Sequence, residues 1–150
     1  MSVVNEVIWV LLGFLYGCLF EYLFHRYIFH GLGKKKSSFF AFHLREHHLN
    51  ARRDGFRDER FSSNELFGIP ILIVTHIPMY FISPALYFTV CTHSLVFVVV
   101  HNISHRYPEL SKKWLWWHWN HHMKNQNKSW GVVCPLMDIL TGTLEEKEKN

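Results

Sequence analysis

Ten of the chain's twelve histidines fall into four groups: His25-x4-His30, His43-x3-His47-His48, His101-x3-His105 and His118-x2-His121-His122. Residues three or four apart share a helix face, so His43 with His47, His101 with His105, and His118 with His121 and His122 can each aim imidazoles at one point. Adjacent histidines lie about 100° apart on a helix, which lets His47 and His48, or His121 and His122, reach towards two neighbouring metals. His25 and His30 are five apart, about 140° around a regular helix, so their convergence predicts that the helix ends between them. Gly31 and Gly33 are the expected terminators. Ten imidazoles crowded together would repel one another if protonated, and metal ions that bind the neutral form remove that conflict. Imidazole suits zinc, iron, copper and nickel alike. Cys18, Cys91 and Cys134 stand apart from the histidines and show no CxxC spacing, so neither a thiolate site nor a disulfide framework is expected.

Two competing uses of these residues are weak. His43-Leu44-Arg45-Glu46-His47 spells the inverted zinc-protease motif HxxEH. That motif needs one metal and leaves eight histidines at ligand spacing without a role. A non-enzymatic membrane haem or metal-binding protein is the other. Haem held between two histidines wants partners on facing helices within a bilayer, whereas these groups sit at the ends of apolar segments.

Those apolar segments are the elements that must position the histidines. The chain has 150 residues and a net charge of +4, and the charge is zoned. All sixteen Lys and Arg lie between Arg26 and Arg60 or between Arg106 and Lys149. Leu66 to Val100 contains no charged residue, and Val7 to Phe24 contains only Glu21. Such zoning excludes a nucleic-acid binder and marks membrane-embedded helix. One helix over Leu66–Val100 would be about 52 Å long against a bilayer core of ~30 Å, so a break is required, and Ile82-Ser83-Pro84 supplies it. The expected fold is an all-α integral membrane protein, one domain over 1–150. Three transmembrane helices, about 3–24, 66–82 and 84–101, comprise one helix plus a hairpin. Pro70 and Pro78 are tolerated as kinks, and the first helix has no basic n-region to mark a cleaved signal. An even number of crossings between the basic segments puts Arg26–Ser63 and His105–Asn150 on the cytoplasmic side as a helical, histidine-rich cap. Residues 144–150 read as a frayed tail.

The segments EYLFHRYIFH (Glu21–His30), HLREHH (His43–His48), HNISHR (His101–Arg106) and HWNHHMKNQNKSWGVVCPLMDILTGT (His118–Thr143) resemble the fatty acid hydroxylase / sterol desaturase superfamily of membrane-bound di-iron enzymes. Spacing and order both agree. The resemblance implies metal ligands at His25, His30, His43, His47, His48, His101, His105, His118, His121 and His122. The family's closing WDxLFGT-like pattern is matched by Asp138, Leu140, Gly142 and Thr143, with Met137 in place of Trp and Thr141 in place of Phe. That departure touches packing or a substrate lid rather than the metals. The short chain and its HRYIFHG segment are also similar to the carotenoid ring hydroxylases of the same superfamily.

The implied activity is hydroxylation, or desaturation, of a lipid such as a fatty acyl chain or sterol, with O2 as co-substrate. Redox-inactive zinc cannot activate O2, so two iron ions are the implied cofactors, and zinc would be a substitute. The implied partners are the bilayer, a lipid substrate and a separate cytochrome-type or ferredoxin-type electron donor. Lys34–Lys36, Arg52, Arg53, Arg57, Lys112 and Lys113 form a basic surface for such a donor or for anionic lipid. The membrane would be the endoplasmic reticulum in a eukaryote and the inner membrane in a bacterium. Candidates to support the ligands are Glu21, one turn before His25, together with Glu46, Asn102 and Asp138. His76 and His93 match no ligand position and are expected at a helix–helix contact or lining a substrate tunnel. Trp114, Trp116, Trp117 and Trp119 beside Lys112 and Lys113 have the composition of an interfacial belt.

Overall fold

The computed structural model describes residues 2–58 and 63–147, with the side chains of 63–66 left aside. Among the described residues every regular element is a helix and there is no strand. Helix α1 (Val3–Leu23) starts at Ser2, whose hydroxyl accepts the Asn5 N–H, and runs without a break into a π-helical turn, Phe24–Phe29. A second π-helical segment, His43–His48, leads into α2 (Leu49–Arg53). Then come α3 (Ser63–Thr75), α4 (Ile77–Ile82) and α5 (Pro84–Arg106), followed by α6 (Pro108–Trp114), α7 (Trp116–Met123) and α8 (Leu136–Thr141).

The break expected at Ile82-Ser83-Pro84 is present. Ser83 is extended, its hydroxyl accepts the Leu86 N–H, and Pro84 opens α5 at a position that needs no N–H donor. The arm before it differs from the expected single helix 66–82: it divides at His76, with Pro78 just inside α4. The third helix also runs further than 84–101, to Arg106. Two helical runs are long and apolar enough to cross a membrane, Val3–Lys34 and Pro84–Arg106, while Phe67–Ile82 is a shorter apolar stretch.

Parallel packing of α1 on α5 brings their C-terminal ends together. Gly13 faces Thr89 and Gly17 faces His93, where an added Cβ would stand 2.8 Å and 2.5 Å from the nearest side-chain atoms. Only hydrogen at these two positions lets the backbones approach so closely. The same offset along both helices sets His25 level with His101. Because α1 and α5 run in the same direction, the chain between them must travel back, which is what α3 and α4 do. The outer surfaces of these helices are apolar: Val7, Leu11, Leu15, Ile71, Phe81, Phe88 and Val99 are all exposed. An apolar belt of this extent marks contact with lipid or partners rather than water.

Candidate metal centre

All ten clustered histidines converge at the end of the bundle where α1 and α5 finish, and none is more than 8 % exposed. They form two groups. The first is His25, His30, His43, His48 and His121, and the second is His47, His101, His105 and His122, with the ligand atoms in each group within 4.8 Å of one another. His118 flanks the second group, its Nε2 lying 3.2 Å from that of His105. Rotation between consecutive helical residues divides both adjacent pairs: His48 and His121 face the first group, His47 and His122 the second. The groups touch where the His48 and His122 rings stack at 4.0 Å.

Local helix geometry corrects two expectations. The helix carrying His25 and His30 widens instead of ending between them. The His30 N–H donates to the His25 carbonyl at 3.0 Å, an i→i+5 bond that puts residues five apart on one face. Gly31 closes this turn because a Cβ there would lie 2.1 Å from the Tyr27 carbonyl oxygen. The second π-helical segment likewise pairs His43 with His48 in the first group and sends His47 to the second. The expected shared target of His43 and His47 is therefore not formed. The HxxEH reading loses its geometry as well, since Glu46 is exposed on the outer side of that turn.

Four imidazoles are oriented by acceptors behind them. His25 Nδ1–H donates to the Trp130 carbonyl at 2.6 Å, His121 Nδ1–H to Lys128 at 2.7 Å and His105 Nδ1–H to Phe56 at 2.7 Å. A carbonyl only accepts, so Nδ1 carries the proton and the Nε2 lone pair points into the group. His47 Nδ1 meets the Asp58 carboxylate at 3.2 Å. Burial first, and neighbouring imidazoles second, hold His43, His48, His118 and His122 well below the ordinary imidazole range, and burial does the same for His121. These rings are neutral, as metal ligation requires.

Spacing within the groups suits a metal. The Nε2 atoms of His25 and His43, of His30 and His48, and of His30 and His121 are each 3.1 Å apart. Two nitrogens bound at about 2.1 Å stand about 3.0 Å apart at a right angle and about 3.4 Å apart at a tetrahedral angle. The unprotonated Nε2 atoms of His25 and His121 face ring nitrogens of His43 and His30, an arrangement that also suits a shared cation. His122 is fully buried with both ring nitrogens lacking a hydrogen-bond partner, which is costly without a ligand. Ring centroids only 4–6 Å apart across the cluster leave no room for a porphyrin, which removes the haem reading.

The supporting candidates behave differently from one another. Asp138, fully buried, accepts from Trp130 N at 2.9 Å, Gly131 N at 2.8 Å and Thr143 Oγ1 at 2.7 Å. It acts on His25 through the Trp130 carbonyl, not by touching an imidazole. Glu21 holds the next stretch of that loop: its Oε1 accepts from Val132 N and, at 3.1 Å, from Val133 N. Its histidine partner is His93, at 3.6 Å, which belongs to neither group. Asn102 Nδ2 donates to the Val98 carbonyl of its own helix at 2.7 Å, and Glu46 is exposed on the outer side of its turn. Arg52 is not a free surface cation; it donates to the His122 carbonyl and to Gln126, both at 2.9 Å, tying α2 to the end of α7. Asp58, and the carbonyls of Phe56, Lys128 and Trp130, escaped the sequence reading. Backbone acceptors carry no residue signature, and Asp58 sits in an unremarkable charged run.

Phe56 is wholly buried at φ 75°, a conformation that costs a bulky residue about 1–3 kcal/mol. Its ring stacks on His105 at 4.2 Å while its carbonyl takes the His105 proton, so the strained residue fixes that ligand twice.

An apolar cavity of about 410 Å³ opens between α1, α3 and α5, walled by residues such as Phe20, Phe24, Phe40, Ile71, Val90 and Phe97. Of the ten clustered histidines it touches His25 alone. His76 and His93 lie in its wall and also join helices: His76 Nε2 meets the Tyr16 hydroxyl at 2.9 Å, and His93 Nε2 meets Cys18 Sγ at 3.8 Å. The tail is not frayed over its first residues. Glu145 N donates to the Ser129 hydroxyl at 2.9 Å and Asn120 Nδ2 to the Glu146 carbonyl at 3.0 Å, while residues 148–150 of the expected tail lie outside the described residues.

A family profile for fatty acid hydroxylases matches residues 10–143, taking in every clustered histidine and most of α1. The chain belongs to the fatty acid hydroxylase family. No curated protein and no solved structure matches it. Thr141, where Phe is usual in the family, donates to the Tyr22 hydroxyl at 3.1 Å and so pins α8 to α1. Met137, where Trp is usual, is half-buried on α8.

Proposed function

We propose that this chain is a membrane-bound oxygenase that inserts oxygen into a C–H bond of a lipid, an acyl chain or sterol, using O2 and electrons delivered from outside. Hydroxylation is favoured and desaturation is the variant outcome at the same centre. A carotenoid ring is the alternative substrate. The observation that carries this reading is the junction of the apolar cavity with His25: a hydrocarbon can reach one histidine group without crossing polar surface.

Two iron ions would be held by the ten histidines, one in each group, and would supply the activation of O2 needed to attack an unactivated C–H bond. The protein's own contribution is positional. The carbonyls of Trp130 and Lys128 keep His25 and His121 in the tautomer whose lone pair faces inward. Phe56 and Asp58 do the same for His105 and His47. The phenylalanines around the cavity exclude water from the reacting carbon and leave the substrate's C–H bond as the accessible reductant. All ten ligands lie at one end of α1 and α5, which supports three crossings with the N-terminus outside and the metal centre at the cytoplasmic face.

Lipids extracted from cells expressing the chain or its His121→Ala variant test the reading by mass spectrometry. The expected product is heavier than its parent by one oxygen, present with the wild type and absent with the variant. Identical lipid profiles would remove the proposal. A reporter fused after Asn150 should be cytoplasmic, and an external signal would overturn the topology.

A further inference from the structure

The two histidine groups open onto different surroundings. The first meets the lipid cavity through His25. Behind the second lies Phe56, whose other neighbour is Trp119, the ring centroids 4.7 Å apart. Trp119 lines a separate cavity of about 430 Å³ together with Trp116, Lys112, Lys113, Lys147 and Glu109. Three cations against one carboxylate make that surface basic, and Lys112 Nζ sits 5.8 Å from the Trp119 ring. Lys147 reaches the rim because Asn120 holds the Glu146 carbonyl and docks the tail there.

Resting on the oxygenase reading above, we infer that this lysine-rimmed cavity is where an acidic one-electron carrier protein docks, and that its electrons enter the second histidine group at Trp119. Per turnover, O2, one C–H bond, two electrons and two solvent protons become one C–OH group and one water. The carrier is oxidised twice, one electron each time. The cavity at His25 is apolar and has no Lys or Arg in its lining, so it offers an acidic carrier no charged partner. Trp119 has two short routes inward. One is the contact with Phe56 and on to His105, and the other is the helix backbone, with His118 adjacent and His122 three residues on. This cavity combines a cluster of cationic side chains with an aromatic ring packed against the shell of a histidine group, which is the match an acidic carrier needs.

The test uses the full chain in neutral phosphatidylcholine nanodiscs, metal-free and iron-loaded, with the soluble haem domain of an acidic b-type cytochrome as probe. Charge reversal at Lys112, Lys113 and Lys147 (K112E/K113E/K147E) should raise the Kd for the cytochrome at least tenfold in both metal states. Salt at 0.5 M should erase most of the difference by weakening the wild type. At saturating cytochrome, Trp119→Leu should slow oxidation of its haem tenfold or more, Trp119→Phe should restore most of the rate, and dithionite should reduce wild type and variants alike. A Kd unchanged by charge reversal would overturn the proposal and leave the lysines to lipid headgroups. Cytochrome binding that depends on the lysines, with no lipid product, would keep the docking surface and sink the oxygenase reading. Product formed with a chemical reductant, with lysine variants binding like wild type, would do the reverse.

Discussion

The first and second histidine groups are built from the same side chain but braced by different turns. The first is backed by the loop of residues 128–133, where Lys128 and Trp130 offer carbonyls and where Asp138 and Glu21 hold the loop from two sides. The second is backed by the short turn after α2, where a strained Phe56 and Asp58 do the equivalent work. One group faces an apolar cavity and the other a cationic, aromatic surface. The difference shows how two neighbouring metal positions can be tuned separately although their ligands interleave along the chain.

The hardest blow to that comparison is at its lipid-facing end. His25→Ala removes a ligand and the cavity's contact with the centre together, and should abolish product in lipid extracts while the second group keeps metal, giving about one iron per chain in place of two by elemental analysis. An equal loss from both groups would show that they do not bind independently. Asp138→Ala is next. It strands the N–H groups of Trp130 and Gly131 at a cost of about 1–3 kcal/mol each and releases His25, so metal affinity should fall about 10–100-fold at the first group and little at the second. Competition with a graded chelator reads this directly. Phe56→Leu is the mirror experiment: it keeps the carbonyl but loses the ring stacked on His105, with an expected drop of about tenfold in affinity confined to the second group. Smallest is Gly17→Ala, whose methyl collides with His93. It should cost about 1–3 kcal/mol of stability, visible as a lowered thermal midpoint, with two irons still bound.

Much of this centre was legible from residue types. The ten histidines, their order and the apolar segments that deliver them follow from spacing and charge zoning, and adjacency of His47 with His48 already implied two targets. Which histidine serves which group was not legible. The assignment depends on two π-helical turns, and a helical wheel drawn at 3.6 residues per turn puts His43 with His47 instead of His48. The bracing was half visible: Asp138 stood in a recognisable ending, whereas carbonyl oxygens are common to every residue. Glu46 looked plausible because it adjoins His47, but the widened turn carries it outward. The glycines of α1 are spaced as a close-contact pair, a signal present in the sequence whose partner, α5, only the fold identifies.

The widened turns also turn motif length into a gauge. A gap of five between two coordinating side chains reports an expanded backbone ring, just as a gap of four reports an ordinary one. Deleting a single residue such as Tyr27 would not merely shorten a loop. It would convert the turn to a regular one in which the two histidines stand four apart and still share a face, so both rings should stay with their group.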